Sequence, residues 1–291
     1  MTPEQIAARV WPGRELEIEP LGGGITNHNF KVTAHGEAFV LRIGGKDTEL
    51  LGINRDGEHA ASLAAAVLGV GPEVIAFVEP EGYLVTRFVE GQPLPLEEAR
   101  EPEMLRRIAE TLRRVHEGPT VPTRFDSFRV VETYLEIARE RGVTEPAEYK
   151  GAKETADAIE SARGVQPEHP CHNDLLNANF IAAEGEVRIV DWEYAGMGDR
   201  FFDLANFSIN HELSDAENEL LLAAYFGELD GAHVASLRLM RFMSDFREAM
   251  WGVVQQGLSE LDFDFVGYAN EHFARLEHTA TDPAFREALQ A

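Results

Sequence analysis

His172-Asn173-Asp174-Leu175-Leu176-Asn177-Ala178-Asn179 and, further on, Asp191-Trp192-Glu193 form the pattern H-x-D-x-x-x-x-N with a second acid at a strand end. Catalysts of phosphoryl transfer need such a set: one carboxylate to accept a hydroxyl proton, and an amide plus a second carboxylate to hold magnesium. The flanking sequence supports the geometry. Phe180-Ile181-Ala182-Ala183 and Val187-Arg188-Ile189-Val190 are strand-like runs on either side of Glu184-Gly185-Glu186, a short Gly-centred turn. A hairpin folded about Gly185 sets Asn179 opposite Asp191. Opposed residues of an antiparallel pair lie about 4.5–5.5 Å apart and point to one face. An amide and a carboxylate so placed can grip one hard cation through oxygen. A polar loop entering an ordinary surface hairpin would explain one acid, but not the whole set.

Bulk properties narrow the class. A chain of 291 residues, 44% hydrophobic and 26% charged, has room for a large core and on size favours two domains. It has no low-complexity tract and no solenoid repeat. Acids outnumber bases 51 to 26, a net charge of −25. That balance disfavours nucleic acid and anionic lipid as partners. The longest apolar runs, such as Leu220 to Phe226, are too short to span a bilayer. Met1-Thr2-Pro3-Glu4-Gln5 is unlike the start of a signal peptide. The single cysteine, Cys171, permits no intrachain disulfide and no cysteine-built zinc site, which points to the cytoplasm. Beside His172 it reads as a buried small residue at a strand end rather than half of a nucleophilic dyad. The oligomeric state is not readable from the residues.

Strand patterning dominates the start of the chain. Glu15 to Leu21, His28 to Ala34, Ala38 to Ile43, Val74 to Val78 and Tyr83 to Phe88 read as strands, with one Ala-rich helix from Asn54 to Leu68. Strand signals stop at Glu90-Gly91-Gln92-Pro93-Leu94-Pro95, the best boundary. Helical patterns follow near Glu103–His116, Val130–Arg141 and Ala147–Arg163. They resume after the hairpin, where Ser214-Asp215-Ala216-Glu217 is a capping box for a helix ending near Gly227. Longer helices are expected from about His233 to Gln256 and from Phe265 to His278. The organisation expected is therefore α+β and two-lobed: a small β-rich lobe over residues 1–89, a linker over 90–95, and a larger, mainly helical lobe over 96–291. The catalytic loop would face the cleft between them.

The small lobe supplies candidates for a phosphate site. Gly22-Gly23-Gly24-Ile25-Thr26-Asn27 turns between two strands, where glycines let backbone N–H groups approach phosphate and Thr26 and Asn27 add donors. No helix follows, so this is not a dinucleotide fingerprint. Arg42 projects from the third strand, where a kinase fold puts its phosphate-binding cation, and Glu58 in the next helix is its natural ion-pair partner. Backbone groups of Arg87, Phe88 and Val89 are placed for an adenine edge.

With these pieces the chain resembles the choline/ethanolamine kinases, within the broader family that includes aminoglycoside phosphotransferases. The matching stretches are Gly22 to Asn27, Leu41-Arg42-Ile43-Gly44, Ile53-Asn54-Arg55 with Glu58, His172 through Asn179, Asp191-Trp192-Glu193-Tyr194, Asp203-Leu204-Ala205-Asn206, and Trp251 to Gln255 with Phe263-Asp264-Phe265 and Tyr268. The resemblance implies a protein-kinase-like fold and ATP- and magnesium-dependent phosphorylation of an amino alcohol. Asp174 would be the base, His172 a brace for the catalytic loop, Asn179 and Asp191 magnesium ligands, and Asp203 a structural acid near the loop. The acceptor would meet Asp174, Glu193, Tyr194, Glu248, Trp251 and Tyr268. The family commonly carries two tryptophans three residues apart on a late helix; here Trp251 matches the second and Glu248 stands at the first. Glu248, Trp251 and Gln255 share one helical face. Another hydroxylated cation, an aminoglycoside or thiamine, is an alternative acceptor, and a nucleotide-binding regulator without transferase activity is an alternative function.

Overall fold

A computed structural model describes residues 1–22, 27–183 and 186–290. The chain opens with helix α1 (Pro3–Val10), then strands β1 (Glu17–Leu21), β2 (Asn27–Ala34) and β3 (Glu37–Gly44), helix α2 (Arg55–Val67), and strands β4 (Val74–Val78) and β5 (Tyr83–Arg87). A short strand β6 (Gln92–Pro93) and a helical turn α3 (Leu96–Ala99) lead to α4 (Pro102–His116), α5 (Ser127–Glu140) and α6 (Tyr149–Arg163). The segment that carries His172–Asn179 and Asp191 runs from β7 (His169–Cys171) through β8 (Phe180–Ala183) and β9 (Glu186–Ile189) to β10 (Gly196–Gly198). Five helices close the chain: α7 (Arg200–Asn210), α8 (Asp215–Phe226), α9 (Gly231–Leu258), α10 (Phe265–Thr281) and α11 (Pro283–Ala288).

The first five strands form one antiparallel sheet in the order β1-β2-β3-β5-β4. Side chains alternate across it. Phe39 and Leu41 of β3 turn inward to a small core with Ile6 and Ala7 of α1, Val32 and Val85. Val40 and Arg42, on the opposite face, line a cleft. α1 carries a capping box, Thr2 with Gln5, and Pro3 in its first turn.

A second, larger core unites the remaining helices. α4 contributes Leu105, Ile108, Ala109, Leu112 and Val115, the three- and four-residue spacing of one buried helical stripe. α8 starts at the expected box, Ser214 with Glu217, and ends at Gly227, whose φ of 85° favours a residue without Cβ. α9 runs 28 residues and is buried almost all round from Leu237 to Gln255. α2 joins this core as well: its Ala61 and Ala65 pack there, although its neighbours in sequence belong to the sheet.

The β8–β9 hairpin departs from expectation in register. Phe180 pairs with Ile189 and Ala183 with Glu186, and Asn179 O accepts from Val190 N at 2.9 Å. Val190, not Asp191, therefore stands opposite Asn179. Only two residues separate the strands, which shifts the pairing by one from a turn centred on Gly185. Gly185 itself lies outside the described residues.

Candidate active site

The stretch His172–Asn179 is held by bonds to backbone and to buried side chains. Asp203 of α7, fully buried, accepts from His172 N at 2.8 Å and Asn173 N at 2.6 Å. Asn206, one turn on, accepts from Leu175 N at 2.5 Å. These bonds fix Asn173 at φ 66°, a left-handed conformation that asparagine tolerates better than most residues. His172 is also fully buried. Its Nε2 lies 3.0 Å from Val190 O, and Nδ1 accepts from Asp174 N at 3.2 Å, which makes Nε2 the protonated nitrogen. His172 is not among the residues lining the cleft; it ties the loop to the hairpin.

Asp174 and Asn179 do reach the cleft. Asn179 Nδ2 donates to Asp174 O at 2.9 Å, which leaves its Oδ1 free to ligate. Asp191 also lines the cleft, through a left-handed backbone at φ 68° rather than through pairing with Asn179. Its Oδ1 is ion-paired with Arg42 Nη1 at 2.6 Å. An amide oxygen and a carboxylate are the oxygen donors that suit a hard cation such as magnesium. Burial pushes the Asp174 carboxyl up, against the opposing charge of Arg247.

The cleft measures about 700 Å³ and runs between the sheet, the hairpin and α9. At its sheet end, Arg42 bonds Glu58 at 2.7 Å, the expected pair, and Asp191 as well. Burial works against its charge, but Asp191, Glu58 and Glu193 together raise its pKa, so the guanidinium stays charged. Arg55, unassigned from sequence, extends the network. It reaches Glu58 at 2.7 Å, Glu193 at 3.4 Å, Asn27 at 3.0 Å and Thr48 at 3.0 Å. Burial first, and the neighbouring Asp191 charge second, lift Glu193 to about 8.

Two residues expected to meet ligands, Asn27 and Glu193, line the cleft and also bond within this network. Asn27, expected to offer a donor to phosphate, donates to Glu193 through Nδ2 at 2.8 Å, and its Oδ1 accepts from Arg55. Glu193, expected at the acceptor, meets Asn27 and Arg55 at the sheet end. Gly22 lines the cleft; Gly23, Gly24 and Thr26 lie outside the described residues. Arg87, Phe88 and Val89 line it too. The N–H groups of Arg87 and Phe88 already donate to Glu73 O and Ala38 O, and the Arg87 side chain bonds Glu73 and Glu37.

At the other end stand Tyr194, Glu248, Trp251 and Tyr268. Glu248 is buried and does face the cleft, where its Oε2 accepts from Tyr268 Oη at 2.8 Å. Beside it, Arg247 was missed. Its Nη2 lies 3.0 Å from Asp174 Oδ1, and Nη1 lies 3.1 Å from Glu248 Oε1. The available signal was charge inside a helix without a polar face, since buried charges need partners.

The phosphotransferase enzyme family matches residues 17–239. The chain belongs to that family. A choline/ethanolamine kinase family protein from Mesorhizobium loti is 32% identical in sequence, with a TM-score of 0.84 over 99% of this chain and 96% of that one. That likeness sets this phosphotransferase among the choline/ethanolamine kinases. Mouse (Mus musculus) ethanolamine kinase 1 is 26% identical over 313 residues, 90% of this chain and 84% of its own length. LicA, solved in complex with AMP, shares the fold at a TM-score of 0.76 and 23% identity, over 95% of this chain and 96% of its own. The phosphotransferase thus has a kinase-like fold and acts on small molecules. Among the described residues no helix is long and apolar enough to cross a membrane.

Proposed function

We propose that this phosphotransferase moves the γ-phosphoryl group of ATP, with magnesium, to the hydroxyl of choline or a related amino alcohol. Asp174 accepts the hydroxyl proton as the oxygen attacks phosphorus, the new O–P bond forms, and the bond to the ADP oxygen breaks. The burial that raises the Asp174 pKa brings it nearer the range in which a base works at neutral pH. Asn179 and Asp191 would hold magnesium, which supplies charge neutralisation at the phosphate oxygens. Arg42, kept charged by Glu58, faces the same phosphates. A neighbour solved with AMP supports a nucleotide in the cleft. For the adenine edge, Val89 is the linker residue left to offer its N–H.

One observation carries this reading: Asp174, Asn179 and Asp191 open on a single cleft whose far wall is acidic and aromatic. An assay with ATP and a panel of choline, ethanolamine, thiamine and an aminoglycoside, with and without magnesium, tests it. Magnesium-dependent phosphorylation of choline or ethanolamine is expected. Turnover confined to the aminoglycoside or thiamine, or none with any alcohol, would overturn it.

A further inference from the structure

Two features of the acceptor end go unused in that reading. The first is a pair of carboxylates on one guanidinium. Arg247, with a side chain 2% exposed, holds Asp174 at 3.0 Å through one terminal nitrogen and Glu248 at 3.1 Å through the other. Both carboxylates sit on one planar fork, so their spacing is set by a rigid group. Glu248 Oε1, though ion-paired there, receives no aligned hydrogen bond from a described residue and so keeps acceptor capacity for an N–H donor.

The second is that the rings around this end are engaged by protein. The Arg247 guanidinium lies over Tyr194, 5.4 Å from the ring centre. Trp251 Nε1 donates to Tyr194 Oη at 3.1 Å, and Tyr268 lies 4.6 Å from the His272 ring. A trimethylammonium head gains most from open aromatic faces around it. Here one face carries a cation already, and the group next to the ligand space is a carboxylate. Asp174, Glu248 and Arg247 together sum to one negative charge, enough for one cationic head.

Resting on the kinase reading above, we propose that the Arg247–Glu248 pair selects the acceptor. Glu248 receives an N–H of a primary or secondary ammonium, while the same guanidinium sets Asp174 for the hydroxyl. The acceptor class is a short amino alcohol that keeps N–H donors. A fully methylated nitrogen cannot make that charge-assisted hydrogen bond to Glu248.

Calorimetric binding of ethanolamine, N-methylethanolamine, N,N-dimethylethanolamine and choline to the unmodified protein tests this without any variant. Affinity should fall along the series by about tenfold or more in total, the size of a lost hydrogen bond to a charged group. Glu248→Gln keeps the volume and removes the charge; it should weaken ethanolamine about tenfold and choline clearly less. A flat or rising wild-type series, no binding of any amine, or equal losses for both ligands in Glu248→Gln would each overturn the assignment. Binding needs no turnover, so the two readings fail separately. A protein that ranks the amines as expected but phosphorylates none keeps the Glu248 assignment and sinks the kinase reading.

Discussion

The two ends of the cleft are charged in different ways. At the sheet end, Asn27, Arg42, Arg55, Glu58, Asp191 and Glu193 come from β2, β3, α2 and the segment after β9, and each is tied to a partner on another element. At the acceptor end, Arg247, Glu248 and Trp251 come from one turn of α9, with Tyr268 from the adjacent α10. A site assembled from many elements depends on how the chain closes around it. One carried mostly on a single buried helix takes its geometry from the packing of that helix. The sheet end therefore suits a ligand held by many charged contacts, and the acceptor end suits discrimination among small, similar molecules.

Variants can break that contrast. The largest effect should come from Asp174→Asn, which keeps shape and removes the proton acceptor: turnover should fall by about 100- to 10,000-fold while nucleotide binding stays near wild type. A variant keeping most of its turnover would remove Asp174 from the role. Next comes Asp191→Ala, with a loss on the order of 100-fold in magnesium-dependent nucleotide affinity, since losing a ligand should cost at least as much as losing a group that only supports one. Asn179→Ala should show a milder form of the same defect. Nucleotide titrations with and without magnesium measure both, and an unchanged magnesium dependence in Asp191→Ala would contradict the site. Arg247→Lys keeps the charge but loses the fork; kcat should fall about tenfold with nucleotide KM unmoved. If nucleotide KM rises equally, Arg247 supports the whole fold and not Asp174 in particular. The smallest expected effect is Glu58→Gln, a rise of about two- to tenfold in nucleotide KM with the acceptor KM unchanged, as one charge-assisted partner of Arg42 weakens. Equal shifts in both KM values would erase the distinction between the two ends.

Much of this was legible locally. Val74–Val78 forms the strand that its apolar run predicts, and the helix from Ser214 to Gly227 has the start and stop that its capping residues predict. Arg42 meets Glu58 because the side-chain period of a strand and the next helix left one face for both. What failed depended on backbone detail or on longer range. The register at Asn179 turned on a one-residue difference in the turn, and the left-handed backbone of Asp191 leaves no trace in hydropathy. Arg55 was matched only as part of a stretch and Arg247 was given no role, since a partner 138 or 73 residues away is invisible to any local window. α1 was not signalled by apolar spacing, although Thr2 and Gln5 cap it.

Helix α2 works as a latch between the two cores. Its far half is anchored among the larger helices through Ala61 and Ala65, and at Gly57 an added methyl would lie 2.2 Å from Thr123. Its near half grips the sheet through Glu58 on Arg42, Arg55 on Asn27, and the His59 ring stacked 4.3 Å from Phe77. Any swing of the sheet that widens the cleft must slide it across α2 and release these contacts together. Motion of the sheet should then be stepwise rather than gradual, and the amides of β2 and β3 should exchange with solvent in concert once Glu58 is neutralised. Independent, strand-by-strand exchange in Glu58→Gln would show that the latch is not there.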